Sequence, residues 1–159
     1  MVSKIHPTKT DMKKLKFTET VIRQIHETIG KATPECGGVL GSRDGEIISE
    51  YFFDATGRSS QNGYAPDTQA INHTLVNEWM PRGIVMVGIV HSHANSVDVP
   101  SCGDINYGIR ILLSLDTVSE FYLPIVTIDE DIYMSCYLIA PDPERKFICR
   151  KVEYDIIPG

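Results

Sequence analysis

The chain has 159 residues, 42% of them hydrophobic, with 15 Lys and Arg against 21 Asp and Glu, a size and balance that suit one compact domain. A chain this long buries roughly 70% of its unfolded surface, so neither a metal nor a disulfide is needed merely to fold it. The charged fraction of 23% excludes a disordered or fibrous chain, and no apolar run approaches the roughly 20 residues of a membrane span.

The net charge of −6 conceals an asymmetry. Within residues 1–16, Lys4, Lys9, Lys13, Lys14 and Lys16 face Asp11 alone, which predicts a basic flexible arm ahead of a domain over 17–159. The acidic remainder argues against nucleic acid as a partner, because a phosphate-binding surface needs clustered Lys and Arg. No apolar stretch follows the first charges, as a secretory signal would require. Cys36, Cys102, Cys136 and Cys149 lack Cys-x-x-Cys spacing. The expectation is therefore reduced thiols in a cytoplasm, away from membranes.

In chain order, Val21, Ile22, Ile25 and Ile29 recur with a helical period and Gly30 ends the segment, predicting a helix over 19–30. Apolar runs at 36–41 and 46–53 flank Asp44-Gly45, a hairpin signal. Residues 54–66 are rich in Gly, Ser and Asn and predict a loop. Asp67 then caps a helix carrying Ile71, Leu75 and Trp79, closed by Pro81 and Gly83. The apolar run 84–90 predicts a buried strand that delivers His91. A loop over 94–100 precedes a helix beginning near Ser101, with Ile105, Ile109, Leu112 and Leu113 as its apolar stripe. Strands over 121–128 and 132–139 surround Asp129-Glu130-Asp131, and 147–157 supplies a last strand. Helices interrupting antiparallel hairpins predict an α/β fold, a three-layer sandwich with a mixed, largely antiparallel sheet flanked by helices.

His91-Ser92-His93 carries the chemistry. Alternate side chains of a strand share a face, so the two imidazoles can grip one ion while Ser92 points away. A catalytic zinc needs three protein ligands and an open position. Asp104, eleven residues beyond His93 and in the first turn of the next helix, is the natural third ligand. Blander readings stand beside this one: a polar His-x-His, an ordinary cap in Ser101-x-x-Asp104, a solvated Glu35. Cys102 is either a thiol near the metal or a small buried residue. His6, His26 and His73 are not assigned as ligands. The Gly37-Gly38 and Gly41 cluster is no phosphate loop, because no Gly-Lys-Ser/Thr follows it.

With these residues the sequence resembles the JAB/MPN domain metalloproteases that carry the JAMM motif: Glu, a long gap, His-Ser/Thr-His, seven residues, Ser, two residues, Asp. Here the motif stands as Glu35, His91-Ser92-His93, Ala94 to Pro100, Ser101, Cys102-Gly103 and Asp104. The resemblance covers about 17–140. It departs where many members place Pro after the second His and this chain has Ala94-Asn95-Ser96, predicting a less rigid loop.

The resemblance implies an MPN/JAB-like, cytidine-deaminase-like topology and one Zn2+ per chain. The ligands would be His91, His93 and Asp104, with Glu35 as general base and Ser101 as donor to the oxyanion. It also implies an isopeptidase or peptidase cutting after the tail of a ubiquitin-like modifier, as in compact bacterial versions encoded beside conjugation systems with antiviral roles. Partners would be the modifier or its conjugates, together with modifier-activating and conjugating enzymes. Gly57, Ser59, Ser60, Asn62 and Gly63 fall where related enzymes hold the modifier tail. Alternatives are a peptidase processing sulfur-carrier, phage-tail or cell-wall precursors, and a non-catalytic scaffold of the same fold.

Overall fold

The computed structural model describes residues 13–159 except 33–34, 61–62, 95 and 117. Its first element lies in the stretch read as an arm. β1 (Lys14–Thr18) alternates exposed lysines with Leu15 and Phe17, which are fully buried, so Lys14–Lys16 belong to the sheet. Residues 1–12 of the expected arm lie outside the described residues. Thr18 ends the strand and caps α1 (Glu19–Thr28), its side chain accepting the Val21 N–H.

β2 (Gly37–Ser42) and β3 (Ile47–Phe53) form the expected antiparallel hairpin. Its turn uses Gly45 at φ +81°, while the Asp44 carboxylate accepts from the Glu46 and Ile47 N–H groups. The region read as a loop contains a second, short hairpin, β4 (Arg58–Ser60) with β5 (Gly63–Ala65). Asp67 caps α2 (Thr68–Thr74). This helix widens into a π turn over Leu75–Trp79, tightens to a 3-10 turn over Met80–Arg82 and stops at left-handed Gly83. β6 (Val85–His93) runs through both histidines. α3 (Cys102–Ser114) follows, but Leu113, assigned to its apolar stripe, is 68% exposed.

The strand expected over 121–128 is broken at Leu123-Pro124 into β7 (Phe121–Tyr122) and β8 (Ile125–Ile128). β9 (Ile132–Asp142) and β10 (Lys146–Ile157) complete the chain.

The sheet does not lie flat between two helical layers. Its order is β10-β1-β3-β2-β6, then β7 and β8 side by side in sequence, then β9, and β9 pairs back with β10. The result is a closed seven-strand mixed barrel, 43% strand and 30% helix, which overturns the three-layer sandwich. Closure comes from β10, which is antiparallel to β9 from Lys146 to Val152 and parallel to β1 from Glu153 to Ile157. One long strand thus joins both ends of the sheet, so that among the described residues the barrel sheet has no terminal strand.

Two apolar clusters follow from the alternation of side chains. One gathers Leu15, Phe17, Leu40, Val90 and Leu138 with Val21, Ile25 and Ile29 of the α1 segment. The other joins Val39, Ile89, Ile125 and Ile139 of the opposite face to Trp79 and to Leu112 of α3. β6 contributes to both, and its C-terminal end is therefore held rigidly where the histidines emerge.

Candidate metal centre

His91 and His93 leave β6 on one face, with Nε2 atoms 2.8 Å apart. His91 is buried, and its neighbour across the β2 pairing is Gly37. The Asp104 carboxylate spans the two imidazoles, Oδ1 at 3.3 Å from His91 Nε2 and Oδ2 at 3.1 Å from His93 Nε2. Burial would push this carboxyl up, but the hydrogen bonds with both histidines outweigh it and hold Asp104 far below the carboxylate range. The same bond from Asp104 raises the pKa of His93.

The Ser101-to-Asp104 segment is a complete capping box. Asp104 N–H donates to Ser101 Oγ at 3.1 Å and Ser101 N–H donates to Asp104 Oδ2 at 2.8 Å. Cap and site are therefore one device. The box fixes the rotamer that carries the Asp104 carboxylate onto the histidines, and α3 itself is anchored through Leu112.

His93 Nδ1 lies 3.0 Å from the Val97 carbonyl, which can only accept. With Nδ1 donating there, loss of the Nε2 proton shared with Asp104 would turn the Nε2 lone pair toward a metal, the arrangement typical of a metal-binding imidazole. The bond to Val97 also bears on the loop lacking proline. Val97 N–H reaches the Ala94 carbonyl, Tyr137 Oη donates to the Asp98 carbonyl at 2.9 Å, and Ser135 Oγ approaches the Asp98 carboxylate. Side-chain bonds from β9 hold residues 97–98 in place of a proline ring. Ser96 takes a left-handed φ of 57°.

One nitrogen of each histidine and one oxygen of Asp104 lie within 4.8 Å of one another, the one such group found among the described residues. Two imidazoles and a carboxylate suit zinc, and the set leaves a coordination position for water or substrate. The residues fit the metal. Cys102 is exposed and lies outside this group.

Glu35 precedes β2 and lines the same cleft, its Oε1 at 3.5 Å from the Ala94 N–H. The cleft, about 610 Å³, is also walled by Tyr64, Val97, Val99, Ser101, Tyr107, Arg110 and Leu123.

Tyr64, Tyr107 and Arg110 were not singled out from the sequence. Tyr64 stands on β5 and donates its hydroxyl to Asp54 Oδ2, which also accepts the Asp67 N–H at 2.9 Å. Asp54 is 2% exposed, and its Oδ1 has no hydrogen-bond partner among the described residues. Burial and this carboxylate together push the Tyr64 phenol far above its ordinary range. Asp54 thereby staples both ends of the segment that carries the β4–β5 hairpin.

Of the candidate tail-binding residues, Ser59, Ser60 and Gly63 enter that hairpin through their backbone pairing, and Asn62 lies outside the described residues. Gly57 is a close-approach position. A Cβ there would meet Asp54 Oδ2 at 2.4 Å and the Tyr64 ring at 2.8 Å.

No family model matches the sequence, and no curated protein does. Solved structures are similar in fold. Protein DSY2949 from Desulfitobacterium hafniense is 18% identical with a TM-score of 0.58, over 91% of this chain and 94% of that one. A protein from Salinibacter ruber is 21% identical with a TM-score of 0.54, over 89% and 92%. AF2198, a JAB1/MPN domain protein from Archaeoglobus fulgidus, is 20% identical with a TM-score of 0.52, over 90% and 99%. The likeness to AF2198 supports a JAB1/MPN fold, and all three likenesses concern the fold alone. Among the described residues no helix is long and apolar enough to cross a membrane.

Proposed function

We propose that this chain is a zinc-dependent peptidase that hydrolyses the isopeptide or peptide bond after the C-terminal tail of a ubiquitin-like modifier. The observation that carries the reading is the convergence of His91, His93 and Asp104 in a cleft that also presents Glu35. The fold shared with a JAB1/MPN domain protein supports it.

A zinc ion held by His91, His93 and Asp104 would acidify a water molecule to a pKa of about 7 and polarise the scissile carbonyl. Glu35 takes the proton of the attacking water and delivers it to the departing nitrogen, so a poor amine anion never has to leave. The Ser101 oxygen accepts from Asp104 N–H, and its hydroxyl hydrogen has no acceptor among the described residues. That hydrogen is available to the oxyanion, where one well-aimed donor is worth about 3 kcal/mol. The modifier tail, an extended peptide, adds as a strand beside β4–β5, the hairpin containing Ser59, Ser60 and Gly63 and adjoining Gly57. In a cytoplasmic setting, the enzymes that activate and conjugate such a modifier are the further partners.

The test is metal analysis followed by cleavage of a modifier fused to a folded reporter. The reading expects about one zinc per chain and cleavage that is lost with a chelator. Protein that carries no metal, and takes none from added zinc, would make the chain a scaffold. Zinc-bound protein that spares the fusion but trims short precursor tails would favour the processing alternative.

A further inference from the structure

Asp104, Tyr107 and Arg110 stand three residues apart along α3, and all three line the cleft. The Arg110 guanidinium lies over the Tyr107 ring, 5.6 Å from its centroid. Among the described residues this ring is its one partner, and no carboxylate pairs with it. In a chain with 21 acidic residues against 15 Lys and Arg, that is a notable placement. The remaining Asp and Glu on the cleft wall, Glu35 and Asp104, belong to the metal end. Along the cleft wall the carboxylates are thus at the histidines and the cation is Arg110. Asp54, whose charge also reaches Tyr107, is buried behind the wall and engaged by Tyr64 and the Asp67 N–H.

A guanidinium stacked on an aromatic ring keeps its edge free, and that edge matches a carboxylate with two parallel hydrogen bonds. Stacking also reduces the rotamer freedom that ligand binding would otherwise remove. Along the helix, Arg110 is six residues beyond Asp104, a rise of about 9 Å. An extended peptide covers about 3.3 Å per residue, so this offset corresponds to about three residues. Val97 and Val99, which line the same cleft, are 48% and 53% exposed and give it an apolar wall.

We infer that the cleft binds a peptide bearing a carboxylate about three residues from the bond presented to the metal, and that Arg110 is the specificity-determining residue that receives it. The carboxylate is either an Asp or Glu side chain on the acyl side or the terminal carboxylate of a short leaving segment. The register rests on the peptidase reading above. The contact between Arg110 and the carboxylate is a statement about binding and does not depend on turnover.

The experiment measures binding by calorimetry to zinc-loaded protein, with peptide hydroxamates that anchor on the metal and so fix the register. One series carries Glu, Gln or Lys at the third residue on the acyl side. A second extends three residues on the leaving side and ends in a free or amidated terminus. The expected result is a preference of about tenfold for the carboxylate member of one series. It should be absent in Arg110→Gln, and Lys should be preferred in Arg110→Glu. A preference in the first series identifies a side chain, and in the second a chain terminus. Equal binding across both series, a preference that survives Arg110→Gln, or no hydroxamate binding by zinc-loaded protein would each overturn the inference. Selective binding of hydroxamates whose matching amides are never cut would sink the peptidase reading and leave this one standing.

Discussion

The Ser92 hydroxyl lies 3.1 Å from the backbone nitrogen of Cys36 and accepts its N–H. Ser92 sits between His91 and His93 in sequence, but it is fully buried and bonds away from the imidazoles. Its own N–H donates to the Cys36 carbonyl at 2.9 Å. The strand that bears the two candidate ligands therefore also clamps the residue after Glu35, setting the carboxylate and the histidines in one frame.

Ser92→Ala removes the acceptor of a buried N–H and should cost about 1–3 kcal/mol of stability. Zinc content should stay at wild-type level while turnover falls, because the displaced group is Glu35 and not a ligand. Urea unfolding, metal analysis and steady-state kinetics on one preparation check this. Unchanged turnover in the folded variant would show that the clamp does not set the position of Glu35.

Glu35→Gln keeps the size and hydrogen-bonding reach of the side chain but cannot take a proton. Hydrolysis should drop by about 10²–10⁴ with zinc and fold retained. Near-normal turnover at saturating substrate would exclude Glu35 as the base. Ser101→Ala should lose less activity and about 1 kcal/mol of helix stability. Its zinc affinity should also weaken, since Ser101 holds the turn that orients Asp104.

Gly37→Ala should loosen the β4–β5 hairpin. The new Cβ would meet the Tyr64 ring at 2.6 Å and the Val90 carbonyl at 2.8 Å. Tyr64 must yield to the first contact, and the second, with a β6 backbone oxygen, strains the Gly37–His91 pairing as well, at a combined cost of about 1–3 kcal/mol or more. Amide hydrogen exchange over 58–65 should accelerate relative to the rest of the barrel. Tyr64→Phe, which keeps the ring but gives up the bond to Asp54, should show the same local acceleration. Deleting 57–63 should impair cleavage of both a modifier conjugate and a short tail peptide. Loss confined to the conjugate would move the tail elsewhere and leave the globular modifier at the hairpin.

The cysteines should react in order of exposure. Cys102 is exposed and should be alkylated first, while Cys136, 1% exposed and with its thiol pushed by burial up to about 12, should react last. Timed iodoacetamide labelling with mass spectrometry at pH 8 reads the order directly. Early labelling of Cys136 in folded protein would contradict the packing of the barrel interior.

The sequence by itself determined what depends on neighbours within a few positions. A strand repeat of two put His91 and His93 on one face, Asp44-Gly45 turned a hairpin, and Ser101 with Asp104 formed a capping box, each set by local backbone geometry. The alternation in Lys14-Leu15-Lys16-Phe17 was also present as a strand signal, but its lysines read more simply as a solvated arm.

Tertiary structure decided the partners. β1 pairs with residues 153–157, and β10 turns from β9 to β1 within one strand. Alternation encodes that a face is buried but not which strand lies beside it, so a barrel and a layered sandwich share the same local pattern. Likewise Asp54 and Tyr64, ten residues apart, and Arg110 over Tyr107 carried no motif. Their roles arise because chain closure around the barrel brings the hairpin and α3 to the same cleft, a long-range choice made by total burial rather than by any local propensity.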